Sequence, residues 1–312
     1  MSTQIIEVSG LHKRYGEKVA VEDVSFTVDR GEIFGIVGPN GAGKTTTVEC
    51  IEGLRKPDGG LVRVLGLDPE HDGAELRQRV GAQLQESDLP EKLKVWEALD
   101  LYASFYPRPA EWGRLLESLG LADKRNTRIG KLSGGQKQRL SIALALVGNP
   151  EVAILDELTT GLDPNARRET WDLIEGIRER GVTVVLVTHF MEEAERLCDR
   201  IAVVDSGRVI AIDTPAGLVS RAQPEQRLRF QVSAPLDESL LTALPEVTNV
   251  SRNGSQIVVT GTGNLLNAVI TVLARHEIVA GNLRVEQASL DDAFVALTNR
   301  DLDRKFTSTR SA

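Results

Sequence analysis

Residues 38–46 read Gly-Pro-Asn-Gly-Ala-Gly-Lys-Thr-Thr (GPNGAGKTT) and set the architecture of the chain. They fit the phosphate-loop pattern G-x-x-x-x-G-K-[ST]. An apolar segment, residues 33–37, precedes the loop, and residues 46–54 follow it with apolar side chains at helical spacing. Because a strand, a glycine-rich loop and a helix succeed one another, the loop amides and the helix N-terminus are expected to bind phosphate together. A glycine turn that binds nothing is the disfavoured alternative.

The loop predicts a bound nucleotide. Lys44 is expected to reach the β- and γ-phosphates, and the Thr45 hydroxyl is expected to ligate Mg²⁺. Mg²⁺ is therefore an expected cofactor, while the loop alone leaves many families of nucleoside triphosphatase open. The candidate nucleotide-binding residues of the loop are Gly38, Pro39, Asn40, Gly41, Ala42, Gly43, Lys44, Thr45 and Thr46.

The composition is that of a globular protein. The chain has 312 residues, 41% of them hydrophobic and 26% charged, a length typical of about two domains. A net charge of −8 argues against nucleic acid as a partner. Cys50 and Cys198 form neither a disulfide framework nor a metal-binding pattern. The first residues lack a signal-peptide pattern, and no apolar run approaches the ~18 residues of a membrane span. We expect a cytoplasmic protein that needs a partner for any role at a membrane.

Strands and helices alternate through about residue 215, which predicts an α/β core with a mostly parallel sheet. Short strands are expected at residues 5–8, 18–21 and 24–28, with Tyr15 in the connection between the first two. Residues 87–147 are predicted to be a helical insertion.

Two helix starts can be predicted from the sequence. Ser133 is the expected N-cap of a helix through Val147. Asp163-Pro164 provides an N-cap and first helical residue for the next helix.

The alternation of single strands and helices ends near residue 215, and the remaining residues have a different order of predicted elements. We assign residues 1–222 to the first domain and residues 223–300 to a small α+β domain. Its order β-α-β-β-α-β suggests a ferredoxin-like unit. Asn253-Gly254 favours a two-residue type I′ hairpin between the middle strands. A last helix is expected over residues 289–298, and the polar residues 301–312 are expected to be disordered.

Three polar residues follow apolar strands. Asp156 ends a short run typical of a buried strand, where it is expected to hold Mg²⁺ rather than only cap a helix. Glu157 is placed to polarise the attacking water as a general base, with a solvated loop acid as the alternative. His189 ends the next apolar strand and is expected to bond the γ-phosphate and the base, although a lone histidine there is more often an ordinary polar residue.

Together these motifs resemble those of the ATP-binding cassette (ABC) ATPases, over residues 5–215. The segments that carry the resemblance are Tyr15 for the adenine-stacking aromatic, Gln85 in GAQLQES for the Q-loop glutamine, LSGGQ at 132–136 for the signature, VAILDE at 152–157 for Walker B with the catalytic glutamate, GLD at 161–163 for the D-loop, and His189 for the switch histidine.

The resemblance implies ATP, bound with Mg²⁺, as the cofactor, and it also implies roles for residues beyond the phosphate loop. Gln85 would take part in catalysis and metal binding, and Asp163 would contribute to the nucleotide site. The signature residues Ser133, Gly134, Gly135 and Gln136 would bind the γ-phosphate held by another subunit. The family's head-to-tail dimer implies a homodimer, or a dimer with a related cassette. One departure is Leu158, where the family usually has proline after the catalytic glutamate. We expect its effect to be modest.

Two function classes compete, a transporter subunit and a soluble ABC ATPase acting on nucleic acid or translation. The chain has neither a second cassette nor a long coiled-coil insertion, which favours the transporter. Residues 225–300, ending in ASLDDAFVALT, look like the C-terminal extension of the daunorubicin-resistance type of subunit. That resemblance implies an ABC-2-type permease, export of drugs, antibiotics, lipids or polysaccharide, and a peripheral position on the cytoplasmic side of the cell membrane. An importer subunit is an alternative, and a degenerate scaffold is disfavoured because the candidate catalytic residues are present.

Overall fold

The computed structural model describes residues 4–83, 89–222, 225–232, 236–286 and 289–298. The chain divides into two compact units, residues 1–215 and 216–312. The boundary near residue 222 that we expected from sequence falls at the far end of a helix, Pro215–Ala222, that begins where the first unit ends. Within the described ranges, no helix combines the length and apolar character required to cross a membrane.

The first unit alternates strands and helices. Its strands are β1 (Gln4–Tyr15), β2 (Lys18–Asp29), β3 (Ile33–Val37), β4 (Gly59–Val64), β5 (Val80–Gln83), β6 (Val152–Asp156), β7 (Thr183–Thr188), β8 (Arg200–Asp205) and β9 (Arg208–Asp213). Its helices are α1 (Lys44–Ile51), α2 (Gly73–Arg79), α3 (Val95–Ala103), α4 (Trp112–Ser118), α5 (Gly134–Leu146), α6 (Pro164–Glu179) and α7 (Met191–Leu197).

The described strands of this unit form one sheet in the order β4-β1-β2-β9-β8-β3-β7-β6-β5. β3 pairs in parallel with β7 and β8, and β6 pairs in parallel with β5 and β7. Antiparallel pairing joins β1 to β2 and β4, and β8 to β9. Strands β3, β6 and β7 are buried along their whole length, as their continuous apolar sequences predict. The predicted mostly parallel sheet is therefore confirmed, with antiparallel pairs at the β4-β1-β2 edge and between β9 and β8.

The first two strands differ from prediction. β1 and β2 each have 12 residues, so the short strands expected from sequence are parts of longer ones, and Tyr15 is the last residue of β1 rather than part of a connection. Their pairing contains several register shifts. Each shift interrupts the apolar–polar alternation from which a strand is recognised. The sequence analysis did not predict α2 or β5.

Both predicted helix N-caps are confirmed. The Ser133 hydroxyl accepts a hydrogen bond from the Gln136 amide at 3.3 Å, and the Gln136 side chain accepts one from the Ser133 amide at 3.0 Å, which makes a capping box. Asp163 accepts hydrogen bonds from the amides of Asn165 and Ala166, both at 3.0 Å. These local hydrogen bonds fix where α5 and α6 begin.

The second unit is the predicted α+β domain. Its elements are α8 (Pro215–Ala222), β10 (Gln226–Val232), α9 (Ser239–Thr242), β11 (Val247–Asn253), β12 (Gln256–Gly261), α10 (Leu265–Arg275), β13 (Ala280–Glu286) and α11 (residues 290–298). The described strands pair antiparallel throughout, in the order β11-β12-β10-β13. From β10 to β13 this is the expected β-α-β-β-α-β order. Its buried core includes Leu228, Phe230, Ile257, Val259 and Val269.

The type I′ hairpin prediction is wrong. Asn253 is the last residue of β11 and pairs with Gln256, so the two-residue loop is Gly254-Ser255. Gly254 has a positive φ of 62°, whereas Asn253 and Ser255 do not have positive φ. A type I′ turn needs positive φ at both central residues, and glycine at the first central position is the pattern of type II′. The pairing register lies one residue later than the sequence motif suggests.

A close approach between β5 and α5 generates a stability prediction. A Cβ atom on Gly81 would lie 1.9 Å from the Ala145 carbonyl oxygen. We expect Gly81→Ala to lower the free energy of unfolding by about 1–3 kcal/mol, because the backbones must separate. Gly176, inside α6, has open space around it. Gly176→Ala is expected to raise the free energy of unfolding by about 0.5–1 kcal/mol. Urea titration of the two variants checks both, and an unchanged Gly81→Ala midpoint would contradict the packing described.

Candidate functional site

The phosphate loop connects β3 to α1 through backbone that requires glycine. Gly43 has φ of 100°, and its Cβ would lie 2.4 Å from the Ala20 carbonyl oxygen. A Cβ on Gly38 would lie 2.1 Å from the carbonyl oxygen of Val204. The loop backbone therefore packs directly on its neighbours, and a side chain at either position would displace it.

Lys44 curls back onto this loop. Its ammonium donates hydrogen bonds to the carbonyl oxygens of Gly38 at 2.8 Å and Pro39 at 3.1 Å, and the residue is only 5% exposed. Burial lowers the pKa of Lys44, while the charges of Glu157 and Asp156 oppose that shift. A buried cation is therefore held beside two carboxylates at the position expected for phosphate.

Asp156 ends β6 with an unsatisfied carboxylate. Its amide donates to the Gln83 side chain at 3.2 Å, but the buried Oδ1 has no hydrogen-bond partner among the described residues. Burial, and next the charge of Glu157, raise the pKa of Asp156 to about 6, with Lys44 acting in the opposite direction. A buried carboxylate oxygen without a donor needs positive charge, which a divalent cation would supply.

These donors fit Mg²⁺. Thr45 is exposed next to Lys44, and a hydroxyl with one carboxylate is the kind of donor set that Mg²⁺ completes with water and substrate phosphates. No group of three or more histidine, cysteine or acidic side chains suited to a metal occurs in the described part of the chain. The phosphates of a nucleotide would thus have to complete the coordination. Gln85, the other predicted ligand, lies outside the described residues.

Glu157 and His189 form a pair at the ends of neighbouring strands. The His189 imidazole Nδ1 donates to Glu157 Oε1 at 3.1 Å, and the Glu157 amide donates to the Val187 carbonyl oxygen at 2.9 Å. Glu157 has a φ of 48°, a left-handed conformation that costs a non-glycine residue about 1–3 kcal/mol. Such strain persists only where the surroundings hold it. The structure thus brings Lys44, Asp156, Glu157 and His189 together.

The signature residues begin a different helix from the one that follows the phosphate loop. Ser133 to Gln136 start α5, and a Cβ on Gly135 would lie 3.3 Å from the Cβ of Ala166 in α6. Within the described residues, no hydrogen bond or ion pair joins them to the phosphate loop. Asp163 likewise serves α6 as its N-cap. The site residues predicted from the sequence therefore fall into two groups, one around the phosphate loop and one at the starts of α5 and α6.

Tyr15 offers an exposed ring at the end of β1. It is 41% exposed, and the ring centroid lies 5.7 Å from Lys13 Nζ and 5.8 Å from Arg55 Cζ. Cations at these distances are attracted to the face of an aromatic ring, and part of the ring surface stays exposed. The predicted stacking role remains a prediction.

Sequence reasoning missed buried carboxylates near this group, Glu52 and Glu193. Glu52 follows α1, is 7% exposed, and its Oε2 has no hydrogen-bond partner in the described ranges. Burial first, then the charges of Asp156 and Glu49, raise the pKa of Glu52 to about 8. A charged residue in a helix usually faces solvent. The only sequence signal was its position amid apolar residues, which does not reveal burial.

Comparisons with known proteins show what the chain is similar to. A family model described as "ABC transporter" matches residues 21–160. The Nod factor export ATP-binding protein I of Ralstonia nicotianae is 36% identical over 307 residues, 96% of each chain. Its counterpart in Burkholderia orbicola is 43% identical over 224 residues, 70% of this chain and 74% of that protein. The dimeric structure of a bacterial ABC transporter cassette has a TM-score of 0.59 and 32% identity, and covers 67% of this chain and 98% of that one.

The buried Glu52 carboxyl generates a pH prediction. The folded protein holds this proton up to about pH 8, whereas the ordinary pKa is 4.5, so the wild type loses stability as pH rises between these values. Glu52→Gln mimics the protonated form. We expect it to stabilise the nucleotide-free protein by about 1–3 kcal/mol more at pH 8 than at pH 5.

Chemical denaturation at the two pH values measures this difference. Glu17→Gln, at an exposed position, is the control and should show no pH-dependent gain. An equal effect of Glu52→Gln at both pH values would contradict the burial of this carboxyl.

Proposed function

The chain belongs to the ABC transporter family of ATP-binding subunits, and from that premise we propose that it drives export through a separate membrane permease. Members of this family are ATPases that bind ATP with Mg²⁺, so the chain is an ATP-hydrolysing subunit. The observation that carries the proposed chemistry is the Glu157–His189 pair at 3.1 Å, beside buried Lys44 and Asp156. We infer that these four side chains surround the γ-phosphate of a nucleotide bound to the loop.

Export, rather than import or a soluble role, is supported by the relatives. Proteins named for Nod factor export align with 96% of this chain, including its C-terminal unit. The resemblance of residues 225–300 to the daunorubicin-resistance type supports an ABC-2-type permease as partner. The proposed cargo classes are drugs, antibiotics, lipids and polysaccharide, and an antibiotic cargo would make the protein a resistance factor. The proposed location is the cytoplasmic face of the membrane, as a peripheral subunit.

Each residue of the group has a proposed part in hydrolysis. The amides of residues 38–46 and the Lys44 ammonium hold the β- and γ-phosphates. Thr45, Asp156 and Gln85 would hold Mg²⁺, and a divalent cation there would supply positive charge to the phosphates. Glu157 accepts a proton from the attacking water, and His189 orients Glu157 and contacts the γ-phosphate.

The separation of the signature from this group supports a dimer. The helix start at Ser133–Gln136 is a site for an anion, since its amides and helix dipole favour negative charge. In the proposed homodimer, each signature binds the γ-phosphate held by the opposite phosphate loop. ATP closes the dimer, and loss of the γ-phosphate lets it reopen, which shifts a two-state equilibrium by differential binding.

An exposed apolar face on the helical insertion is the proposed docking site for the permease. Leu101 is 48% exposed on α3, and Phe105 is 62% exposed just after it. The ring of Tyr102 packs edge-to-face against that of Phe105, with centroids 6.0 Å apart. Exposed aromatic and aliphatic side chains in one patch are typical of a protein interface. The Q-loop residue Gln85 precedes this helix in the chain, so the insertion links the nucleotide site to the patch.

Replacement of the proposed base tests the chemistry. Glu157→Gln keeps the shape of the side chain but cannot accept the proton, so ATP turnover should fall by about 10²-fold or more. ATP binding should stay within a few-fold of wild type, and ATP should trap the dimer. Phosphate release and nucleotide binding measure the two effects. Turnover within a few-fold of wild type would contradict the assignment.

Affinity purification from detergent-solubilised native membranes tests the partner. We expect a multi-span permease in near-equal amount with the wild type, and at least about tenfold less with Phe105→Asp, because a charge is placed in an apolar interface. Leu61→Asp, at another exposed apolar residue, is the matched control. Recovery of ribosomal or DNA-repair proteins, with the protein absent from membranes, would contradict the exporter proposal and leave the ATPase chemistry intact.

A further inference from the structure

A second buried carboxylate lies behind the Glu157–His189 pair. Glu193 is on α7 and has no solvent exposure. Its Oε1 accepts a hydrogen bond from the indole Nε1 of Trp171, on α6, at 3.1 Å. Burial raises the pKa of Glu193, which reflects the free-energy cost of keeping a carboxylate in this position. None of the roles assigned above uses this group.

Two buried threonines place this carboxylate next to the catalytic segments. The hydroxyls of Thr188 and Thr159 both lower the pKa of Glu193 and so lie close to it. Thr188 immediately precedes His189, and Thr159 follows Glu157 by two residues. The Thr188 hydroxyl also accepts a hydrogen bond from the Phe190 amide at 3.0 Å. Glu193 thus stands between the backbone segments that carry the general base and the histidine.

The contact with Thr159 is electrostatic rather than a closed hydrogen bond. Neither Thr159 Oγ1 nor Glu193 Oε2 has a partner of normal hydrogen-bond geometry in the described part of the chain. Glu193 Oε1 accepts the hydrogen bond from Trp171, whereas Oε2 has no partner of normal hydrogen-bond geometry among the described residues.

A cation and two rings join the same elements. The Arg167 guanidinium of α6 lies 4.6 Å from the ring centroid of Phe190, whose ring lies 4.1 Å from the His189 imidazole. Arg167 also lowers the pKa of Glu193. α6, which begins at the end of the loop after Glu157, is therefore packed on the residues around His189. Glu193, Trp171 and Arg167 thus connect α6 and α7 with the segment that carries His189.

We propose that Glu193 is a positioning residue for ATP hydrolysis, whose carboxylate fixes the backbone on both sides of the Glu157–His189 pair. The inference rests on the roles proposed for that pair. The left-handed Glu157 needs surroundings that hold it, and Glu193 supplies a buried acceptor for the hydroxyl two residues further on. A residue selected only for packing would be apolar here, because an apolar side chain of similar volume avoids the cost of a buried charge.

The test compares Glu193→Gln with Glu195→Gln in the full chain. Glu195 lies on the same helix and is exposed, which makes it a matched control. Glu193→Gln keeps an acceptor for Trp171 but is neutral and replaces the other oxygen with a donor. We expect kcat to fall by about 10- to 100-fold, since a small misplacement of the reacting groups has effects of that size. The KM for ATP should stay within about threefold, and the unfolding temperature should be equal to or above that of wild type.

Trp171→Phe is a second variant, because phenylalanine has no N–H to donate to Glu193, while its smaller ring also reduces packing at this buried position. We expect this variant also to have a lower kcat with an unchanged KM for ATP. The proposal is overturned if Glu193→Gln turns over ATP within twofold of Glu195→Gln, or if its kcat falls only together with its unfolding temperature and ATP affinity. Glu157→Gln is measured in parallel, because it distinguishes a failure of the positioning role from a failure of the proposed base. If that variant is inactive while Glu193→Gln is not, only the positioning role is wrong, whereas an active Glu157→Gln overturns the pair and this inference with it.

Discussion

The carboxyl ends of β3, β6 and β7 meet at one edge of the parallel sheet, and the proposed chemistry depends on that meeting. Lys44 follows β3, Asp156 and Glu157 follow β6, and His189 follows β7. Residues more than a hundred positions apart in sequence become neighbours because adjacent parallel strands must end together. All three strands are buried along their whole length, and most of their residues are apolar, so neighbouring strands fix where each strand ends. A few charged groups can then be kept at fixed distances in a poorly solvated place, where electrostatic interactions are strong.

Burial of these charged groups also has a cost in free energy when the site is empty. Asp156, Glu52 and Glu193 all have raised pKa values, with burial as the largest cause, and each has an oxygen without a hydrogen-bond partner in the described ranges. Lys44 has a lowered pKa for the same reason. The sheet and the helices packed on it must supply the free energy that holds these groups in place. That cost is typical of functional sites, where residues are arranged for ligand chemistry rather than for the stability of the empty protein.

The features that could be predicted from the sequence are those that depend on local interactions. The phosphate loop and the N-caps at Ser133 and Asp163 involve residues a few positions apart, and the structure has the loop between β3 and α1 and both caps as expected. The hairpin at Gly254-Ser255 was misplaced by one residue, because register depends on cross-strand packing that a dipeptide does not encode. Glu193 and Glu52 were missed because burial of a charged residue is decided by elements distant in sequence. The Q-loop prediction at Gln85 lies outside the described residues.

The central claim of this account is that one chain holds only half of each complete ATP site. Mixing two inactive variants tests it most directly. Lys44→Ala removes phosphate binding at the loop, and Ser133→Arg blocks the signature, so each protein alone should hydrolyse no ATP. In a head-to-tail dimer of the two, one intact loop faces one intact signature, and the account predicts that the mixture recovers ATP hydrolysis. A mixture as inactive as its components, although the two chains associate, would contradict the claim.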